Sequence, residues 1–130
     1  MSMQRNTRQR RLVRSIFEDA RRPLTAQQTY LLARSQMPTI GCSTVYRCIA
    51  HLLEEGCLKT IHLPAKSVCY ELTNHAHHHY FLCKTCDAVI TFENCLEGVK
   101  ELSPPGCKVT THEIILYGHC RDCLTSKSKR

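Results

Sequence analysis

Apolar and polar positions alternate along this chain with two different periods. Leu12, Val13, Ile16, Phe17 and Ala20 recur at helical spacing and predict a first helix, ended by Pro23. Thr25-Ala26-Gln27-Gln28 reads as a capping box, so a second helix starts there. Ala26, Tyr30, Ala33 and Met37 give it one buried stripe, and Pro38 closes it. Ser43 is a candidate N-cap for a third helix whose stripe is Val45, Ile49, Leu52 and Leu53, with Gly56 at its end. Ser43, Tyr46, Arg47, Ala50 and His51 fall on its opposite face. Residues 58–63 and 68–72 then read as two short strands around Pro64-Ala65-Lys66-Ser67.

Three short helices and a β-hairpin in residues 1–72 predict a winged helix-turn-helix, with the third helix as the one that enters a DNA groove. Thr73-Asn74 reads as a short hinge. Beyond it, 77–81 and 88–92 read as strands, Leu96, Val99 and Leu102 mark a short helix stopped by Pro104-Pro105-Gly106, and 108–117 reads as a longer strand. The fold class expected is therefore α+β: an N-terminal winged helix over 1–72, a hinge at 73–74, and a small α/β domain over 75–130.

Charge sharpens the first half of this picture. The 130 residues carry 18 Lys+Arg against 11 Asp+Glu, a formal charge of +7. Arg5, Arg8, Arg10, Arg11, Arg14, Arg21 and Arg22 crowd the N-terminal segment, opposed there only by Glu18 and Asp19. Such a cluster suits a polyanion, double-stranded DNA above all. No apolar run reaches membrane-spanning length, and the chain opens Met-Ser-Met-Gln-Arg without a signal-like apolar stretch. A cytoplasmic, reducing location is expected, with thiols free or metal-bound.

Cysteine spacing sharpens the second half. Among ten cysteines, Cys83-Lys84-Thr85-Cys86 and Cys120-Arg121-Asp122-Cys123 form two CxxC hooks. Four thiolates so spaced make a closed tetrahedral zinc site, which staples a fold rather than doing chemistry. A closed site does not need the neighbouring run His75-Ala76-His77-His78-His79. Those histidines therefore point to a second metal. His77 and His79 alternate along a predicted strand and share a face. An enzyme reading, a small zinc hydrolase built on the histidines, would need an open metal position and a base. Glu71 is the only tempting base, and the chain carries no HExxH motif.

Taken together, Ser43-Thr44-Val45-Tyr46-Arg47, Tyr70-Glu71-Leu72, His77-His78-His79 leading into Cys83 and Cys86, His112, Leu116-Tyr117-Gly118-His119-Cys120 and Cys123 resemble the ferric uptake regulator family of bacterial metal-sensing repressors. The matching pieces run from about residue 8 to residue 123 in order. The resemblance implies a winged-helix DNA-binding domain, a hinge and an α/β dimerisation domain. It implies a homodimer that binds a palindromic operator when metal-loaded, with no membrane and no small-molecule substrate as partner. It implies that Tyr46 and Arg47, within the Ser43-Thr44 motif, contact DNA, and that Arg5 or Arg8, in the cluster with Arg11, reaches toward the minor groove. It assigns Cys83, Cys86, Cys120 and Cys123 to one structural zinc per chain.

The resemblance further implies a regulatory metal held by His77, His79, His112 and an acidic residue near the start of the short helix. Aligning that helix places Cys95 at the acidic position, with Glu97 its neighbour. Three imidazoles and one thiolate suit zinc, which favours a zinc uptake regulator; iron or manganese, and an iron-responsive or peroxide-sensing member, are the alternatives. A further family site near the hinge corresponds to Pro23, Glu71, His78 and Tyr80. Pro23 offers no side-chain donor, so Glu71 and His78, with Glu97, are what remains of a third set.

Overall fold

In the computed structural model of the protein, residues 2–74 and 76–127 are described, with side chains over 7–74 and 76–125. The chain divides into two units, Met1–His75 and Ala76–Arg130. The division falls just beyond Thr73 and Asn74.

The first unit opens with helix α1, Ser2–Ala20. Its apolar stripe is buried as the spacing predicts: Val13, Ile16 and Phe17 are almost wholly enclosed. Strand β1, Leu24–Thr25, follows and was not foreseen, because two residues carry no readable period. Thr25 then caps helix α2, Ala26–Gln36, through a reciprocal capping box: its Oγ1 accepts from the Gln28 N–H at 3.0 Å, and its own N–H donates to Gln28 Oε1 at 2.9 Å. Helix α3, Cys42–Glu54, starts two residues earlier than the Ser43 cap predicts. Gly41 occupies the cap position and makes no side-chain hydrogen bond, so Ser43 lies inside the first turn.

The end of α3 is closed by a Schellman motif. Gly56 sits at φ 78°, its N–H donates to the Leu53 carbonyl at 3.1 Å, and the Cys57 N–H donates to the Leu52 carbonyl at 2.9 Å. The chain then turns into β2, Leu58–Ile61, which pairs antiparallel with β3, Cys69–Leu72; β1 pairs with the other edge of β3. Three helices and this small sheet enclose one core, in which Leu24, Val45, Ile49, Leu52, Leu58 and Leu72 join the α1 stripe. Each such side chain contributes about 1.5–3 kcal/mol on burial.

The second unit is built on a three-stranded sheet in the order β5-β4-β6, from β4 (His79–Cys83), β5 (Val89–Phe92) and β6 (Ile115–Gly118). The first strand begins two residues later than the pattern of 77–81 predicts. β4 pairs antiparallel with β5 and parallel with β6. The long strand expected over 108–117 shrinks to four residues. Among the described residues, β6 is an edge strand whose only partner is β4, and β4 starts at His79, so 108–114 have no ladder to join. The helix expected around 96–102 is a single 3-10 turn, Val99–Leu102, preceded by Gly98 at φ 79°. Leu96 and Leu102 are exposed, so no core draws that segment into a longer helix. A last helix, α4 (Arg121–Lys127), follows Cys120 directly.

Among the described residues of this unit, the enclosed apolar side chains are only Leu82, Cys83 and Cys120, while Ile90, Leu116, Tyr117 and Leu124 stand open. A unit this thin needs another source of cohesion, a metal or a second chain. Among the described residues, no helix is long and apolar enough to cross a membrane.

Candidate metal centres and DNA-binding face

Two clusters of metal-type donors form in the second unit. The first is Cys83, Cys86, Cys120 and Cys123. The parallel pairing of β4 with β6 brings the ends of both strands together and, with them, both CxxC hooks. The Lys84 N–H donates to the Gly118 carbonyl at 2.7 Å, and Thr85 Oγ1 bonds His119 Nδ1 at 2.7 Å, tying one hook to the other. Cys83 Sγ lies 3.6 Å from Cys123 Sγ, and Cys86 Sγ lies 3.6 Å from Cys120 Sγ. A tetrahedron with Zn–S bonds of ~2.3 Å has S···S edges of ~3.8 Å, so the four sulfurs already stand near the spacing of a bound ion.

The electrostatics of this cluster divide its thiols, favouring the thiolate at Cys83 and the protonated thiol at Cys86 and Cys123. Backbone N–H groups of Cys86 and Cys120, and less so Thr85, hold the Cys83 thiol down at about 5; that of Cys120 lies 3.3 Å from its sulfur. Cys123 is pushed up to about 12, chiefly because Cys120, Cys86 and Cys83 crowd it and its burial disfavours charge. Four thiolates cannot coexist at this distance without a cation. Thiolate chemistry and spacing therefore both fit zinc here.

The second cluster is His77, His79, Cys95 and His112. His77 Nε2 lies 3.1 Å from His112 Nε2; Cys95 Sγ lies 3.1 Å from His112 Nε2, 3.4 Å from His79 Nε2 and 3.9 Å from His77 Nε2. In a tetrahedral zinc site of three nitrogens and one sulfur, the N···N and N···S edges are ~3.3 and ~3.6 Å. His79 is the buried anchor, packed edge-on to His77 with ring centroids 4.5 Å apart. The Ile114 N–H donates to its Nδ1 at 3.3 Å, so in this tautomer Nε2 carries the proton and points at Cys95 Sγ; holding an ion at Nε2 requires that proton to leave. Burial first, then the neighbouring His77, His112 and His78, push the His79 pKa down, so its ring stays neutral, as a metal ligand must.

Neither cluster includes Glu71, His78 or Glu97. Glu71 is buried in the wing sheet, where Lys59 Nζ approaches its Oε1 to 3.8 Å across the strand pair. His78 donates from Nδ1 to the Ala76 carbonyl at 2.6 Å, and its Nε2 meets the Tyr80 hydroxyl at 3.1 Å. Glu97 is exposed beside Gly98.

On the first unit, Tyr46 is half exposed on α3, with Ser43 and Arg47 exposed and Thr44 partly so; the Arg47 guanidinium donates to Thr44 Oγ1 at 3.2 Å. Arg8 and Arg11 are exposed on α1. The Arg5 side chain lies outside the described residues.

A sequence model of the ferric uptake regulator family matches residues 2–117. The chain belongs to the ferric uptake regulator family. A ferric uptake regulation protein of Campylobacter jejuni is 32% identical over 128 residues, covering 95% of this chain and 82% of that protein. A solved structure of a zinc-bound manganese uptake regulator superposes with a TM-score of 0.74 at 23% identity, over 86% of this chain and 87% of that one. FurB of M. tuberculosis, a zinc uptake regulator, gives a TM-score of 0.51 at 27% identity, over 92% and 95%.

Ferric uptake regulator family members are metal-responsive regulators of transcription that bind DNA and act as dimers, and they are not enzymes. Its two-domain plan, DNA-binding then dimerisation, is the plan of this chain, and the four-cysteine cluster belongs to the second part. Within that frame the sequence missed two features. The Thr85–His119 tie is invisible in sequence because neither residue is a ligand type demanded by the hooks. On α3, Thr44, Arg47, Cys48 and His51 form a second stripe at helical spacing, turned toward Gln9 and Arg10 of α1. Only the facing helix shows that the stripe has a partner.

Proposed function

We propose that this chain is a zinc-sensing repressor that binds a palindromic operator as a homodimer and controls metal-uptake genes. The observation that carries the reading is the sulfur in the second cluster: Cys95 stands among His77, His79 and His112 where a harder metal would want oxygen. Cys83, Cys86, Cys120 and Cys123 hold one structural zinc per chain. His77, His79, Cys95 and His112 hold a second, exchangeable zinc, whose binding favours the DNA-competent dimer. That ion must bind the competent form more tightly than the other, since equal affinity shifts nothing. Tyr46 and Arg47 contact DNA from α3, supported by Ser43 and Thr44, while Arg5, Arg8 and Arg11 meet the backbone and minor groove from α1. Glu71, His78 and Glu97 are left as a third, weaker set.

The test is elemental analysis of metal per chain before and after mild chelation, with duplex binding followed in parallel. Two zincs per chain are expected, one lost to chelator together with DNA binding, and both restored by zinc but not by ferrous iron. The second reading is an iron-responsive regulator, favoured by the ferric uptake regulation relatives. It predicts one zinc that never leaves and DNA binding restored only by ferrous iron or manganese.

A further inference from the structure

We propose that the cleft between α1 and α3 is a seat for a DNA backbone phosphate, held by Gln9, Arg10, Arg47 and His51. The proposal rests on the DNA-binding reading above and goes beyond it by giving Gln9, Arg10 and His51 a contact of their own. The cleft has a volume of about 240 Å³, and Thr44 and Cys48 complete its walls. None of its lining residues is acidic.

The chemistry of the lining selects an anion. A guanidinium donates and cannot accept, and two of them face one space. A base edge would demand acceptors as well as donors, whereas a phosphate oxygen demands donors alone. The charges of Arg10 and Arg47 each act on the buried Cys48 thiol at the cleft wall, opposing the upward pull of its burial. Gln9 is buried to 8% exposure at the same wall, an unusual place for an amide on a surface helix.

The two arginines are pre-positioned without being neutralised. Arg47 is braced on Thr44 Oγ1 at 3.2 Å. Arg10 reaches Glu55 at 4.0 Å, with the Arg10 side chain half-buried and that of Glu55 exposed, which steadies the guanidinium but leaves most of its donors open. The cleft also adjoins the exposed stripe of Ser43, Tyr46 and Arg47, with Arg47 common to both. A helix whose outer stripe meets base edges brings its flank onto the backbone, where contacts set register and orientation rather than read sequence.

Because a phosphate contact is independent of sequence, the experiment needs no known operator. Zinc-loaded full-length protein is titrated with random-sequence duplex at several salt concentrations. Arg10→Gln is expected to weaken binding and to lower the slope of log K against log salt by about 0.9, the value for one lost phosphate contact. Arg10→Lys keeps the slope. Glu55→Gln releases Arg10 and tightens binding, and it stands as the second variant if Arg10→Gln loses its fold or its zinc. An unchanged slope in folded, zinc-replete Arg10→Gln, or unchanged affinity in Glu55→Gln, overturns the seat while leaving the repressor reading intact. Failure of the zinc-loaded wild type to bind any duplex overturns both. If inorganic phosphate raises the melting temperature of the DNA-free wild type but not of Arg10→Gln, while the salt slopes coincide, the cleft serves a free anion and the DNA proposal falls.

Discussion

Replacing Cys95 by alanine probes the proposed regulatory centre at the donor that sequence left between two neighbours. The substitution removes the one sulfur from the second cluster and leaves three imidazoles, of which His77 and His112 face each other at 3.1 Å. Three histidines still hold zinc with an open fourth position, so binding should weaken rather than vanish. Losing a partner that only supports a ligand costs about 10–100-fold in metal affinity, and losing the ligand itself should cost at least the upper figure. The expected loss is therefore about 100-fold or more, about 2.7 kcal/mol. Glu97→Gln is the control. Glu97 is exposed and outside the cluster, so its replacement should stay within about twofold, the range of an ordinary surface change. Chelator competition on protein retaining its structural zinc measures both, with cobalt absorption reporting whether a thiolate is bound. Linkage requires the free zinc needed for half-maximal DNA binding to move by the same factor. Cys95→Ala within about threefold of wild type, or Glu97→Gln weakened about tenfold, would refute the assignment of the thiolate.

Three further outcomes follow from the geometry. In zinc-stripped, reduced protein, Cys83 titrates near 5 and Cys123 near 12, against an ordinary thiol value of 9.0. The lowered Cys83 gives stability that is full above pH 9 and lost as pH falls through 5, while the raised Cys123 gives stability full below pH 9 and lost as pH rises through 12. Thermal melts should thus improve from pH 5 to 9 and decline beyond it, and the improvement should shrink in Cys83→Ser. Gly56→Ala should cost about 1–2 kcal/mol in denaturant melts, the left-handed backbone penalty alone, because nothing lies within 4 Å of the added methyl. Leu52→Ala, at a side chain 3% exposed in the first unit's core, should cost about 2–5 kcal/mol by the same measurement.

The parts legible in sequence were those whose signal is local. Stripes such as Val13, Ile16 and Phe17, the Thr25–Gln28 box and the two CxxC hooks each declare themselves within a few residues. His77, His79, Cys95 and His112 do lie together, although His77 precedes the strand and strand alternation is not what brings its ring there. What sequence misjudged depends on distant partners. The residues from 108 to 114 have strand-like composition but no strand beside them, so only Ile115–Gly118 pairs. Leu96 and Leu102 have helical spacing but no surface to bury against, and Gly98 interrupts them. The Lys59 that stands directly across the strand from Glu71 was likewise out of reach of a local reading. Helix α4 went unread because it is too short to show a period.

The pairing of Cys86 with Cys120, 34 positions apart, makes the four-cysteine cluster the knot of a long loop. Cys95 and His112 lie inside that loop, and His77 and His79 lie just outside it. Tying a loop of this length removes about 4 kcal/mol of freedom from the unfolded chain, on the entropic account of a cross-link. Under the proposed assignment, two of the four sensing donors are thus carried on a tether whose ends must first be joined. A chain so built would load in sequence: one ion would set the frame, and only a framed chain would register the next. A cell too poor in the first would lack a working gauge for the second, and the same scarcity would be felt as folding failure before it was read as a signal.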